Sequence, residues 1–350
     1  MTTTIYFILM LSAIILIHEL GHFLMARLFN VYVYEFALGM GPQILKWQGK
    51  ETVYSLRLFP LGGMVVLAGD DQKDADFEIP NNRLVSAIAG WKKILIFLAG
   101  PLMNFILAWV IFVGIYTNLG YVFDPPPAVI NGVIEDSPAE KAGFEFGDQI
   151  LKISFADGTS IEPKDFYEII QHTQLHTDET VYTIRRNDEE IEIKVLPVYN
   201  ETEDRYLVGM LLPESNKRAI DFLGAIQEGS KDFMTSTTAM VEVLQNMLRG
   251  IGLKNLSGPV GIYTMTEQQI SYGLISFLSL VALLSVNVGF MNLLPVPMFD
   301  GGRILLILIE TIIGRRLPEK LEIGLMYGSL ALIVALFIFV TFNDVSRLLG

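Results

Sequence analysis

Ile14-Ile15-Leu16-Ile17-His18-Glu19-Leu20-Gly21-His22-Phe23-Leu24 places three ionisable side chains inside an apolar run that covers residues 5–29. The two histidines are four residues apart, so on a helix both imidazoles lie on one face, where they can bind one Zn²⁺. Glu19 lies beside them, in position to take a proton from a metal-activated water. A run of ~20 apolar residues is long enough to cross a bilayer, and ionisable groups within it cost roughly 2.5–3.5 kcal/mol each and mark function. The stretch therefore predicts a metal site inside a membrane span. The alternative, an inert polar patch, requires solvent that such a span does not offer.

The composition agrees with a membrane protein. The chain has 350 residues, of which 51% are hydrophobic, and a mean hydropathy of +0.45, which is too apolar for a soluble globule. The absence of cysteine excludes disulfides and thiolate zinc sites, so any metal must use histidine and carboxylate ligands. The net charge of −13 is concentrated in residues 124–242 and argues against nucleic-acid binding.

Uncharged stretches predict four membrane spans. They cover residues 1–17 (continuing to 26), 94–123, 268–299 and 323–343. The first stretch has no basic n-region, and no small-residue cleavage site precedes the histidine motif, so it does not resemble a cleavable signal peptide. The predicted organisation is a first span in 1–30, a β region in 31–90, a second span in 91–123, a soluble domain in 124–200, an amphipathic region in 201–267, a third span in 268–300, a cytoplasmic helix or loop in 301–322 and a fourth span in 323–350.

Lysine and arginine predict the orientation. The first basic residue is Arg27, basic residues flank the membrane ends after the first and third spans, and none follows the second span until Lys141. By the positive-inside rule the loops after spans one and three are cytoplasmic. Both termini and the acidic segment are then outside, and His18 lies about two thirds of the way across the bilayer toward the cytoplasm.

The end of the third span offers a third metal ligand. Asp300 follows Pro295 and Pro297, which must disrupt the helix, and precedes Gly301-Gly302, which permit a tight reversal. Broken helices at membrane depth survive only where they line a cavity or are buried in protein. Asp300 is therefore a candidate zinc ligand, and otherwise a cap for the following helix. In the second span, Asn104 reaches about the same depth, where it either orients a ligand or only packs.

These motifs together resemble those of the site-2 protease family of intramembrane zinc metalloproteases, in its bacterial RseP-like branch. The resemblance rests on His18-Glu19-Leu20-Gly21-His22, on Gly100-Pro101-x-x-Asn104 and on Asn292-x-x-Pro295-x-Pro297-x-x-Asp300-Gly301. It implies that His18, His22 and Asp300 bind Zn²⁺, that Glu19 is the catalytic glutamate and that Asn292 contacts substrate. Phe299 stands where the family often has leucine, an apolar replacement that changes none of these roles.

The resemblance also implies the substrates and partners. Substrates are single-span membrane proteins, such as anti-sigma factors or signal-peptide remnants, cut within the bilayer in regulated intramembrane proteolysis after an upstream site-1-type protease has shortened them. Short strands predicted between residues 36 and 69 resemble a membrane-associated β-sheet beside the active site. Its edge can hold substrate in extended form, and the alternative is a structural plug. Val66 and Leu67 in this region and Asn104 in the second span are candidate substrate contacts.

Residues 126–198, in the acidic segment, are predicted to form one soluble α/β module. Strands are predicted at 128–134, 147–153, 180–186 and 190–195, and helices at 137–143 and 163–173 with Pro163 in its first turn. Ser137-Pro-Ala-Glu-Lys-Ala-Gly143 followed by Gly147-Asp148 resembles bacterial PDZ domains. His172 and His176 are four apart, but solvated side chains are favoured over a second metal site. Residues 219–252 predict an amphipathic helix or helix pair at the outer interface, and 257–262 a loop.

The predicted fold class is thus an α-helical polytopic membrane protein with four transmembrane helices, a membrane-associated β-sheet and one inserted extracytoplasmic PDZ domain, located in the plasma membrane. Two other classes compete with a protease. A non-catalytic scaffold presenting a PDZ domain would not need Glu19. A metal transporter would need a polar path through the outer half of the spans, and the first span has none.

Overall fold

The computed structural model describes residues 2–69, 79–175, 177–200, 205–249, 258–315 and 317–349. In chain order its elements are α1 (Thr2–Leu28), β1 (Val33–Gln48), β2 (Val53–Leu67), α2 (Gly90–Leu119), β3 (Tyr121–Phe123), α3 (Pro138–Ala142), β4 (Gln149–Ser154), β5 (Ser160–Ile161), α4 (Phe166–Leu175), β6 (Thr180–Arg186), β7 (Glu189–Val195), β8 (Val198–Asn200), β9 (Arg205–Leu207), β10 (Lys217–Ala219), α5 (Phe222–Leu248), α6 (Pro259–Ser271), α7 (Leu274–Leu293), α8 (Asp300–Ile313) and α9 (Glu319–Leu349). The chain divides into two compact units, Met1–Asn118 with Phe222–Gly350, and Leu119–Asp221.

Long apolar helices dominate the first unit. Four helices in the described part of the chain have the length and composition to cross a membrane: Thr2–Leu28, Gly90–Leu119, Leu274–Leu293 and Lys320–Asp344. Each of them overlaps one of the four apolar stretches of the sequence.

The buried face of α1 explains how its histidines are placed. Met10, Ile14, His18 and His22 are spaced by four and are all buried, so they form one row along the helix. Met10 and Ile14 pack against three residues of α7, namely Phe277, Leu280 and Val281. Apolar packing of the first half of α1 against α7 thus directs the two imidazoles toward the point where α7 ends and Asp300 follows.

The predicted third span, 268–299, is shorter in the structure. Residues up to Ser271 belong to α6, and α7 begins after Gly273, whose φ of +109° breaks the helix. It ends at Leu293 because Pro295 cannot donate a backbone hydrogen bond. The predicted reversal is present: a Cβ on Gly301 would lie 2.1 Å from the Leu293 carbonyl oxygen, so α8 folds back onto the end of α7.

The predicted short strands are two long ones, β1 and β2. Glu35 pairs with Val66 and also with Val53, so residues 33–38 of β1 lie between two segments of β2, 53–56 and 63–67. The glycines that suggested strand ends instead produce register shifts, because Gly39, Gly41 and Gly62 adopt positive φ within continuous strands. Within the described residues, segment 63–67 pairs only with β1, which leaves it at an edge of the sheet.

Helix α5 is one 27-residue helix that packs along α2. Trp109 donates to Ser230 (2.9 Å) and Tyr116 to Asp232 (2.7 Å), while Phe233 and Met240 join the cluster around Phe112 of α2. The predicted amphipathic segment is therefore helical but covers a neighbouring helix. The predicted loop 257–262 differs too: α6 begins at Pro259, and residue 257 lies outside the described residues.

The second unit has a sheet of strand order β5-β4-β6-β7 with its own core. Strands β6 and β7 form the predicted hairpin, in which Asn187 and Asp188 both have positive φ, as a type I′ turn requires. Helix α3 matches its prediction, with Ser137 as N-cap and Gly143 as C-cap. Backbone bonds from Ile134 to Gly209 and from Leu211 to Gly132 extend the unit beyond residue 200, so the insertion ends at Asp221.

Two local predictions in this unit differ from the structure. Helix α4 begins at Phe166, and Pro163 precedes it, because Asp165 accepts a hydrogen bond from the Glu168 amide and caps the helix there. Residues 128–134 form isolated bridges at Val129 and Val133, with no regular strand. His172 stacks on Phe155, and His176 lies outside the described residues.

Candidate active site

Three side chains from two distant parts of the chain meet at one point. The Nε2 atoms of His18 and His22 are 3.1 Å apart, and Oδ2 of Asp300 lies 3.1 Å from His18 Nε2 and 3.4 Å from His22 Nε2. Both histidines are buried, at 9% and 8% exposure. Among the described residues this is the one group of three or more histidines and carboxylates that could hold a metal. The structure thus brings together the residues that the two motifs predicted.

The separations fit a tetrahedral zinc ion. Ligand atoms at ~2.0–2.1 Å from Zn²⁺ in tetrahedral geometry lie about 3.3 Å from each other, and the three observed distances are 3.1, 3.1 and 3.4 Å. Asp300 Oδ2 is buried, and no group in the described part of the chain meets it with hydrogen-bond geometry. The Asp300 carboxylate oxygen therefore lies between two imidazole nitrogens without a hydrogen-bond donor in that part of the chain. This arrangement fits a group of cation ligands better than an aspartate that caps a helix by hydrogen bonds.

The backbone of α2 supports His22. Nδ1 of His22 lies 2.8 Å from the Ile96 carbonyl oxygen, which can only accept, so Nδ1–H donates and Nε2 keeps its lone pair for the metal. Such close approach requires glycines on both helices. A Cβ on Gly21 would lie 2.2 Å from the Ala99 carbonyl oxygen, and one on Gly100 would lie 2.4 Å from His22 Nε2.

Glu19 is half-buried and faces strand β2. The backbone of Val65 lies close to its carboxylate, and a Cβ on Gly63 would lie 2.8 Å from Glu19 Cγ. The carboxylate therefore sits between the histidine pair on its own helix and the edge of the β-sheet. This placement suits a proton acceptor that works on a group held at the sheet edge.

A cavity of about 350 Å³ opens over this group. Its walls include the histidines, Glu19 and Asp300, together with residues from β2, α2 and the end of α7: Gly63, Met64, Val65, Val66, Leu67, Ile96, Phe97, Asn292, Met298 and Arg303. Three of the four candidate substrate contacts, Asn292, Val66 and Leu67, line it. Leu67 is 4% exposed and also belongs to an apolar cluster, so the strand offers mainly its backbone there.

The residues that line the cavity do not include Asn104. It is fully buried, and Nδ2 of its amide is 3.3 Å from His18 Nδ1. Its backbone oxygen accepts a hydrogen bond of 2.8 Å from Ser285 of α7. The structure thus places Asn104 behind a predicted metal ligand, on the side away from the open space.

Two contacts at this site were not predicted from the sequence. The Ile96 carbonyl carries no side-chain signal, because a backbone acceptor is available at every residue. Arg303 lines the cavity and lies over the Phe97 ring at 5.2 Å. Its position three residues after Asp300 puts both on one face of α8, and that helical spacing is the signal that could have found it.

The comparisons with known proteins decide the family. A family description, peptidase family M50, matches residues 6–336 of the chain. The chain belongs to peptidase family M50. A protein of Clostridium acetobutylicum is 34% identical over 97% of this chain and 96% of its own length. Proteins named zinc metalloprotease RasP from Bacillus licheniformis and Shouchella clausii are 30% and 29% identical over 99% of this chain and the whole of theirs.

Membership in family M50 confirms the resemblance to site-2 proteases. The protein is a zinc metalloprotease of the site-2 protease type, and its apolar helices place it in a membrane. Among solved structures, the PDZ domain of an SdrC-like protein from Listeria monocytogenes is similar over 26% of this chain and 92% of that chain, with 18% identity and a TM-score of 0.22.

Proposed function

We propose that this M50 protease is an intramembrane endopeptidase that cleaves the transmembrane segments of single-span membrane proteins. The observation that carries the proposal is the meeting of His18, His22 and Asp300 with Glu19 in one cavity between helices apolar enough to span a bilayer. Ionisable groups inside a bilayer cost insertion free energy, so they normally mark a functional site.

His18, His22 and Asp300 would hold the zinc ion. When bound, Zn²⁺ would act as a Lewis acid that polarises the scissile carbonyl and lowers the pKa of water, so that the water can lose a proton as it attacks the carbonyl. Glu19 accepts the proton of the attacking water and delivers it to the leaving amide nitrogen.

The edge segment 63–67 would hold the substrate in extended form. A transmembrane helix hides its carbonyls in internal hydrogen bonds, so cleavage requires local unwinding, and an exposed strand edge supplies backbone partners for the unwound chain. Asn292, Val66 and Leu67 are the proposed contacts. Asn104, which was also a candidate contact, fits better as a support for His18.

Basic residues support an orientation with the active site toward the cytoplasm and both termini outside. In that orientation the unit Leu119–Asp221, which we propose is a PDZ domain, is extracytoplasmic. It would restrict which substrates arrive, favouring those that an upstream site-1-type protease has already shortened, such as anti-sigma factors or signal-peptide remnants. A non-catalytic scaffold would not require Glu19 beside the histidine pair.

The Glu19→Gln variant tests the proposed chemistry. An amide cannot accept the proton, so cleavage of a model single-span substrate in proteoliposomes should fall at least a thousandfold, while zinc content stays near one ion per chain. The matched control is Glu267→Gln, the same change at an exposed position of α6, which should cleave like wild type. Activity of Glu19→Gln within tenfold of wild type would show that another base operates.

A further inference from the structure

The two histidines of the cavity have different partners behind them. Nδ1 of His22 faces the Ile96 carbonyl oxygen at 2.8 Å, a group that only accepts. Nδ1 of His18 faces the side-chain amide of Asn104, and the amide atom that lies 3.3 Å from it is Nδ2, a donor. The other amide atom, Oδ1, is buried and without a hydrogen-bond partner in the described part of the chain.

An Asn104 amide with Nδ2 toward His18 conflicts with a metal-binding His18. A neutral imidazole carries one N–H, and the nitrogen that binds a metal must be the one without it. If Asn104 Nδ2 donates to Nδ1, the proton of His18 sits on Nε2, which points at His22 Nε2 and Asp300 Oδ2. For Nε2 to have a free lone pair, Nδ1–H must donate, and the group it meets must be an acceptor.

We propose that Asn104 is a positioning residue for His18, with Oδ1 of its amide accepting a hydrogen bond from His18 Nδ1–H. The inference rests on the proposed role of His18 as a zinc ligand. Amide oxygen and nitrogen have nearly the same shape, so a half-turn of the amide exchanges Oδ1 and Nδ2 without moving any other atom. Asn104 then does for His18 what the Ile96 carbonyl does for His22.

The surroundings of Asn104 fit a group that must not move. Asn104 and Ser285 are both 0% exposed, and the Ser285 hydroxyl donates to the Asn104 backbone oxygen at 2.8 Å. Gly100, one turn earlier on α2, brings the helix so close that a Cβ there would lie 2.8 Å from His18 Cε1. Helix α2 is thus held against the imidazole from one side and tethered to α7 from the other. Groups behind metal-binding histidines contribute roughly 10–100-fold to metal affinity.

The experiment measures zinc affinity in the full chain, in detergent, in a Glu19→Gln background so that no cleavage occurs. Asn104→Asp keeps an acceptor at the same position, and Asn104→Leu has a similar volume but no acceptor. Ser279→Ala is the matched control, because it removes a hydroxyl group from α7 whose hydrogen bond stays within that helix, to the Ile275 carbonyl oxygen. Zinc dissociation constants come from competition with a chromophoric chelator, and the visible absorption of Co²⁺-loaded protein reports ligand geometry.

We expect Asn104→Leu to weaken zinc binding by about 10–100-fold and to alter the Co²⁺ spectrum. Asn104→Asp and Ser279→Ala should stay within about threefold of the parent, with unchanged spectra. Equal losses in Asn104→Asp and Asn104→Leu would overturn the proposal, because an acceptor would then give no rescue, and so would tight binding in Asn104→Leu. If Asn104→Leu does not fold, Asn104→Ala takes its place under the same criteria.

His18→Ala distinguishes the proposed metal site from the positioning role of Asn104. Loss of zinc in that variant together with unaffected binding in Asn104→Leu would refute only the positioning role. Stoichiometric, tight zinc in His18→Ala would refute the proposed metal site and the positioning role with it.

Discussion

At the residue scale, Asp300 is the proposed zinc ligand whose role depends most on its neighbours. Alone, an aspartate at the start of α8 is an ordinary helix-capping residue. Here its Oδ2 lies within 3.1–3.4 Å of two imidazole nitrogens and has no hydrogen-bond donor of good geometry among the described residues. A carboxylate in such surroundings needs a cation.

Asp300→Ala should therefore lose zinc as well as activity. Removing one of three protein ligands leaves two histidines, and we expect the bound zinc to fall from about one ion per chain to under a fifth of that after dialysis against a mild chelator. Elemental analysis of the purified protein measures it. Glu322→Ala, an exposed carboxylate elsewhere in the same unit, is the control and should keep its zinc. Tight stoichiometric zinc in Asp300→Ala would remove Asp300 from the ligand set.

At the element scale, the contact between α1 and α2 sets the geometry of the site. Gly21 and Gly100 let the two backbones approach until α2 touches both imidazoles. This close contact is what allows the Ile96 carbonyl to reach His22 and the Asn104 amide to reach His18.

Gly100→Ala and Gly114→Ala make a matched pair on α2. The new methyl at position 100 would meet His22 Nε2 at 2.4 Å, whereas nothing lies within 4 Å of the methyl at position 114. Gly100→Ala should lower zinc affinity and cleavage at least tenfold by separating the helices. Gly114→Ala should leave both unchanged and gain up to about 1 kcal/mol of helix stability. Chelator competition and substrate cleavage test the pair; equal behaviour of the two would show that the close contact is dispensable.

The β1–β2 sheet contains a buried carboxylate, Glu35, that ties its segments together. Ser55 and Arg57 from β2 donate to it at 2.6 and 2.7 Å, and Gln43 at 2.9 Å. Burial raises the pKa of Glu35, but these hydrogen bonds outweigh it and lower the pKa from 4.5 to about 2. The ionised carboxylate therefore stabilises the sheet above pH 4.5, and that stabilisation is lost as the pH falls from about 4.5 to about 2.

Glu35→Gln should destabilise the metal-free protein by on the order of 3 kcal/mol at pH 7, because it leaves Arg57 without its charged partner. The difference from wild type should shrink as the pH is lowered through that window. Glu51→Gln is the comparison: Glu51 pairs with Arg27 and Arg83 but is one-third exposed, so its loss should cost about 1 kcal/mol or less. Thermal unfolding between pH 7 and pH 2.5 measures both. A pH-independent difference would contradict the assignment.

At the scale of the whole molecule, the inserted unit begins and ends at one place. Strands β3 and β10 pair with each other, and the amide of Ile220 donates to the Gly120 carbonyl at 3.0 Å. Just inside, the Asp124 amide donates to the Asn216 carbonyl at 2.9 Å. The ends of the unit are therefore joined independently of the sheet within it, which makes the insertion removable.

Replacing residues 124–216 by a short Asn-Gly turn keeps the β3–β10 ribbon and tests whether the inserted unit restricts which substrates reach the active site. The shortened protein should cleave a pre-trimmed model substrate within about threefold of wild type and should newly cleave the untrimmed form. Parallel assays of the two substrates in proteoliposomes measure this. Loss of cleavage of the trimmed substrate by a folded, zinc-containing deletion variant would show that the unit belongs to the catalytic machinery.

The sequence by itself determined the features that depend on local spacing. Four apolar stretches are long helices, because span length and composition are local properties. His18 and His22 share a face because they are four residues apart, and Asn187-Asp188 form the hairpin turn because both tolerate positive φ. The two sequence motifs likewise predicted the residues that converge in the cavity.

The tertiary structure decided what depends on contacts between distant segments. The helix packing placed Asn104 behind His18 and the Ile96 carbonyl behind His22, choices that no local pattern specifies. Long-range backbone pairing carried the inserted unit to Asp221 and put segment 63–67 at a sheet edge beside Glu19. Spacing along a chain fixes which residues share a face, but only the packing of faces against each other fixes which atoms meet.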